Sequence, residues 1–187
     1  MSTRNWLLVG SVLALAAAGE PASAQSAGEV PATVPVTGTV PSVCHGGTLA
    51  GGGAFDLGIL TDTSTGLLRT DLSAPPKTLT GAFCSTRSRI AVEATPLVAQ
   101  NAPGTPPSGF SHTVNYRAVA SGWTDTPASF GTADASHAFA VQERGTAFQG
   151  DIALSIDSFT TGGGAALRLV ADPAYRGAIT VTLSVVN

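Results

Sequence analysis

Apolar residues alternate with polar or small ones along most of this chain, and no stripe at 3.6-residue spacing runs long enough to suggest a helix. The alternation begins at Val30, Ala32, Val34, Val36 and Val40. It resumes at Phe55, Leu57 and Ile59 after the turn Gly51-Gly52-Gly53, and Leu79 and Phe83 then lead to Cys84. Ile90, Val92 and Ala94 stop at Pro96, while Val114, Tyr116, Ala118 and Ala120 run up to Gly122. Phe139 and Val141 precede Gly145. Ile152, Leu154 and Ile156, bounded by Asp151 and Asp157, form the clearest half-buried strand pattern. Leu167 and Leu169 follow Gly162-Gly163-Gly164, and the chain closes on Ile179, Val181, Leu183 and Val185. Residues 101–109, with Pro103, Pro106 and Pro107, read as a loop. Eight or nine short strands punctuated by glycine and proline predict an all-β fold, an antiparallel sandwich.

The first residues break this pattern and read as an address. Arg4 gives a positive start, Trp6 to Ala18 is apolar and uncharged, and Ala22-Ser23-Ala24 supplies an A-x-A cleavage site before Gln25. The apolar run falls short of the roughly 20 residues a membrane-spanning helix needs. Residues 1–24 are therefore expected to be a signal peptide, 25–35 an N-terminal extension and 36–187 a single domain, exported and without a membrane span.

Composition narrows the partners. Only 11% of residues are charged, against about 25% in ordinary globular domains, and Gly, Ala, Thr and Ser take up the difference. The net charge of −3 provides no basic face for phosphates, so nucleic acid is not an expected partner. A polybasic membrane anchor is missing for the same reason.

The two cysteines, Cys44 and Cys84, allow one connectivity, and oxidation is expected in an exported chain. Closing a loop of about 40 residues would stabilise the fold by roughly 4 kcal/mol in the chain-entropy account. No CxxC accompanies them, and His45, adjoining Cys44, is the only histidine near enough to share a metal, in a strained geometry. His45, His112 and His137 lie scattered among Gly, Ser and Ala. G-x-S-x-G, H-E-x-x-H and phosphate-binding glycine loops are lacking, and the glycine runs 51–53 and 162–164 read as turns. Carboxylates sit mostly at strand ends (Asp56, Asp62, Asp71, Asp151, Asp157, Asp172). The expectation is a protein that is not an enzyme and carries no cofactor or metal.

Several segments together resemble a known family. They are an alternating extension, "VTGTVPSVC" (Val36 to Cys44), "FDLG" (Phe55 to Gly58), "LTGAFCSTRSRIAV" (Leu79 to Val92) and a closing "AYRGAITVTLSVV" (Ala174 to Val186). The layout resembles pilins of the chaperone-usher type, especially the spore-coat-U or Csu-like branch; residues 97–150 carry no matching motif. The resemblance implies an immunoglobulin-like sandwich lacking its last strand, with an apolar groove beside the C-terminal strand. A periplasmic chaperone would fill that groove first and the extension of a neighbouring pilin subunit afterwards, with an outer-membrane usher as a further partner. Carried onto this chain, the donor strand would present Val30, Ala32, Val34 and Val36, and the acceptor groove would be lined by Ile179, Val181, Leu183 and Val185. Cys44 and Cys84 would tie the first strands together. The function implied is that of a structural subunit of a surface fimbria supporting adhesion or biofilm formation.

One feature departs from a strand paired on both sides. Pro31, Pro35 and Pro41 are all odd-numbered, so each removes an amide donor from the same edge, while the edge served by even-numbered residues keeps every donor. Two other classes stay open. One is a self-complete secreted β-sandwich, an adhesin in which the extension folds onto its own sheet. The other is a small extracellular enzyme or carbohydrate-binding domain that uses Trp123, Tyr116 and Tyr175 as stacking surfaces.

Overall fold

A computed structural model describes residues 33–102 and 104–186. Within it Val40–Asn187 forms one compact unit. Eleven strands and no helix are found among the described residues, so the all-β expectation holds. They are β1 (Cys44–His45), β2 (Thr48–Ala50), β3 (Lys77–Cys84), β4 (Ser88–Ala99), β5 (Phe110–Ser111), β6 (Thr113–Ser121), β7 (Ala128–Gly131), β8 (Val141–Arg144), β9 (Phe148–Thr161), β10 (Arg168–Leu169) and β11 (Tyr175–Val185).

The pairing is antiparallel except for the small β5–β10 contact. One path runs β1-β3-β9-β6-β4-β11, with β2 added to β3, β7 to β6 and β8 to β4. β4 pairs with β6 only at Leu97 and Val98, beyond a register shift, so the path folds over there. β4 with β11 thus faces the layer of β3, β9 and β6 across a common core. Ile90 and Val92 of β4 meet Ala82 and Cys84 of β3, Tyr116, Ala118 and Ala120 of β6, and Ile152 and Leu154 of β9. Taking β1/β2-β3-β9-β6 as one layer and β4-β11 as the other gives the A-B-E-D and C-F order of a constant-type immunoglobulin sandwich. The place of strand G, beside β11, is taken by no strand among the described residues.

Trp123 anchors this core. Its ring is fully buried, donates from Nε1 to Ser88 Oγ at 3.2 Å across the layers, and meets Phe148 edge-on at 5.2 Å. Arg144 covers the other side of that assembly, stacking over Phe148 at 3.6 Å while donating to the Trp123 carbonyl. The turn into Trp123 requires Gly122, whose φ of +93° lies in the left-handed region and whose Cβ would sit 2.7 Å from the Asp151 carbonyl.

Several strand expectations need correction. Between Leu79 and Ala82 the β3–β9 register shifts by one residue around Gly81, which carries φ +71°. The inward set therefore moves from Leu79 to Ala82 and Cys84, and Phe83 turns outward to stack on His45. In β9 a second bulge at Ser158, φ 55°, moves the inward set from Ile156 to Phe159. Residues 55–59 form no strand: Phe55 and Leu57 are half-buried, but Ile59 is 65% exposed. Phe139 and Val141 do not make a core face; Phe139 is 61% exposed, and the buried neighbour is Ala140, whose carbonyl accepts from the Val92 amide. The expected strand from Val36 to Cys44 reduces to Cys44–His45.

Candidate functional site

The C-terminal strand is built from strict alternation. In β11, Thr180, Thr182 and Ser184 point outward and are exposed, and β-branched or leucine side chains occupy the intervening places. Ile179, Val181, Leu183 and Val185 share the inward face, and all four are only half-buried. Their cross-strand partners on β4 are Ala94, Val92, Ile90 and Ser88. Of these, Ile90 is 0% and Val92 1% exposed. Directly opposed residues on the same face of one sheet thus differ in burial, because the layer that covers β4 thins out over β11.

Backbone pairing follows the same line. The Val186 amide donates to the Arg87 carbonyl at 3.0 Å, which sets the even-numbered residues of β11 toward β4. The odd-numbered residues, the ones whose side chains face inward, direct N–H and C=O toward the opposite edge. That edge has no strand partner among the described residues. Four half-covered apolar side chains and the polar groups of an unpaired edge therefore occupy the same stretch, the two features that a strand laid alongside would satisfy together.

The gap over β11 is wide at one end and narrow at the other. Near the start of the strand lies a cavity of about 490 Å3, lined among others by Phe55, Leu154, Ile156, Phe159, Tyr175 and Ile179. Tyr116 reaches into this region from β6 and donates its hydroxyl to the Ala178 carbonyl at 3.1 Å, tying the two layers together. Burial pushes its phenol up to about 12. Gly177 permits the close crossing beside it, since a Cβ there would lie 2.6 Å from the Thr95 carbonyl. At the other end of β11, β1 comes alongside. β1 is held by the Cys44–Cys84 disulfide, whose Cα atoms are 4.1 Å apart in directly paired positions. Val43 adds two bonds to Ser85, amide to Oγ and carbonyl to amide, both at 2.9 Å.

The structure thus brings together all four residues assigned to the groove, and the two cysteines are bonded as expected. Of the residues assigned to the donor strand, Val30 and Ala32 lie outside the described residues. Val34 and Val36 are 79% and 96% exposed and belong to no strand. Phe55, Tyr116 and Tyr175, which border the cavity, were not assigned to the groove from sequence. Only the alternation at Phe55 and Tyr116 marked them as core residues, and nothing local tied them to β11.

The stacking surface proposed for a carbohydrate does not form, because Trp123 and Tyr116 are both buried and Tyr116 is turned toward Ala178. Carboxylates are spread over the surface in separate local contacts. Arg117 pairs with Asp157 at 2.8 Å and holds that carboxyl below its usual range, and Arg87 with Arg89 does the same to Glu143. Asp62 is held low by the Ser64 hydroxyl and by the amides of Ser64 and Thr65, as the hub of a turn. His137 stacks on Phe130. Among the described residues no group of three or more His, Cys, Asp or Glu side chains could hold a metal ion, and no helix is long and apolar enough to cross a membrane. Compared with known proteins, the chain matches no family model, no curated protein and no solved structure.

Proposed function

We propose that this chain is a structural subunit of a surface fimbria, exported through the periplasm and assembled by donor-strand complementation. In that reading a periplasmic chaperone and an outer-membrane usher handle the subunit before a neighbouring copy supplies the missing strand. The observation that carries the reading is the inward face of β11. Ile179, Val181, Leu183 and Val185 are half-covered where their β4 partners Ser88, Ile90 and Val92 are sealed, and among the described residues the edge beside them has no strand partner. An exposed apolar edge of this kind is an aggregation hazard in a solitary domain, whereas a complementing strand converts it into core. The disulfide supports the same reading, because it fixes the first strand without occupying the edge of β11.

The test is electrophoresis of the exported chain, unboiled and boiled, in denaturing detergent. Strand-exchanged polymers give a ladder that collapses to monomer only on boiling. Replacing Val181 and Leu183 with Asp places charge on an apolar face, where it is costly to desolvate, and is expected to abolish the ladder. A monomer in every lane of the unsubstituted protein, or a ladder unchanged by both substitutions, would sink the reading.

A further inference from the structure

At the wide end of the gap beside β11 the two layers enclose an apolar space with a lysine set into its wall. We propose that this cavity binds an amphipathic anion, an aliphatic carboxylate whose chain lies between the layers and whose head group pairs with Lys77. The inference stands apart from the fimbrial reading, because every wall belongs to one copy of the chain.

Leu154, Ile156 and Phe159 of β9, Leu97 of β4, and Phe55 and Leu57 of the segment after the Gly51-Gly52-Gly53 turn border about 490 Å3 of space. Small-molecule sites typically occupy about 300–1,000 Å3 and are apolar with a few placed polar groups. Two polar groups of this cavity are already committed. Tyr116 donates its hydroxyl to the Ala178 carbonyl, and Tyr175 donates its own to the Val170 carbonyl at 2.7 Å. A ligand rich in hydroxyls would find few free donors here, whereas an aliphatic chain needs none.

Lys77 opens β3 directly opposite Leu154, and directly opposed residues of an antiparallel pair share a face. Leu154 is buried, so Lys77 stands on the core side of its sheet, the side that Leu79 takes further along the same strand. Lysine is rare on such a face, since its ammonium must reach water or a partner. Its hydrogen-bond acceptor among the described residues is the Gly51 carbonyl, and no carboxylate there pairs with it. An ammonium carries three donors, so two are left without a protein acceptor. The other charged residue of the lining, Arg176, is also cationic, and no carboxylate borders the space among the described residues. The charge of the site therefore attracts an anionic head group and repels a cationic one.

The experiment is isothermal titration of the full chain at neutral pH and low salt with hexanoate, octanoate and decanoate, and with octylamine as the cation of matched length. Affinity is expected to rise roughly fourfold with each added methylene, as an apolar chain leaves water. Octylamine should bind far more weakly than octanoate. Lys77→Gln should weaken octanoate by about tenfold or more, the loss of a charge-assisted hydrogen bond, and Lys77→Arg, which keeps the charge, should restore most of it. The ligand series requires no variant, so it decides the matter even where Lys77→Gln does not fold. Absence of saturable heat with decanoate, affinity indifferent to chain length, octylamine binding as tightly as octanoate, or an octanoate affinity unchanged by Lys77→Gln would each overturn the proposal. None of these outcomes alters the electrophoretic ladder, and absence of the ladder leaves the cavity in place, so the two readings fail separately.

Discussion

A matched pair of truncations separates a sealed face from an open one. Ile90 and Leu183 are directly opposed on the core side of the β4–β11 ladder, yet Ile90 is fully buried and Leu183 only half-buried. Truncating a buried isoleucine to alanine costs about 2–5 kcal/mol, the lost transfer energy plus the cavity left behind. Ile90 touches core on every side, so Ile90→Ala should fall near the middle of that range, about 3–4 kcal/mol. Leu183 leaves part of its surface in water already, and solvent can relax into the space it vacates; Leu183→Ala should cost roughly 1–2 kcal/mol. The difference, about 2 kcal/mol, corresponds to about 1 M in the urea midpoint for a domain with a slope near 2 kcal/mol/M. Adding a peptide spanning Gln25 to Gly38 at saturation should then stabilise the unsubstituted chain more than Leu183→Ala. The shortfall reports the part of the side chain that a strand covers, on the order of 1.4 kcal/mol or a tenfold loss of peptide affinity. Urea titration followed by tryptophan fluorescence reads both, because Trp123 lies within the same core. Equal destabilisation by the two substitutions without peptide would mean that the face of β11 is already covered, and the reasoning from half-burial would fail.

Two further outcomes test the frame around that face. Replacing Cys44 and Cys84 together with alanine should lower the stability of the chain by about 4 kcal/mol, the loop-closure value for a separation of 40 residues; calorimetry or urea unfolding of the oxidised and substituted chains reads it, and a loss below about 1 kcal/mol would show that β2 and the Val43–Ser85 bonds hold the first strands without help. The Tyr116 phenol is raised by burial to about 12 from an ordinary 10.0, so folding favours the neutral form. Its contribution is whole below pH 10 and is lost as pH rises toward 12. Tyr175, also raised by burial and by Asp172, acts in the same sense. Stability of the unsubstituted chain should therefore fall more steeply over that window than stability of Tyr116→Phe, and parallel pH curves would refute the assignment.

What was legible in the sequence was the face of each strand wherever the strand ran without interruption. β6 keeps Val114, Tyr116, Ala118 and Ala120 inward from end to end, and β11 does the same from Ile179 to Val185. Side-chain period two follows from the backbone alone, so a reader of the sequence recovers it. Bulges were not legible. One extra residue at Gly81 or Ser158 exchanges the faces of everything beyond it. A glycine or a serine within a strand does not by itself mark where that occurs, so the shared alternation of Leu79 and Phe83 did not show that Phe83 faces outward. The cavity beside β11 was not legible either, because Phe55, Tyr116 and Tyr175 come together from three distant segments.

The N-terminal alternation shows where pattern reading reaches its limit. Val34, Val36 and Val40 keep the period of a strand, yet residues 33–43 belong to none. Period two describes where side chains would point once the backbone is extended. It supplies none of the hydrogen bonds that hold a strand, which come from a neighbour. β11 presents the converse, a strand with inward residues and one edge unmatched among the described residues. Prolines at 31 and 35 restrict which edge of the extension can be matched. An alternating segment that keeps donors on one edge, and an edge that needs a strand on one side, meet the same condition, and both patterns can be read from the covalent chain before any partner is identified.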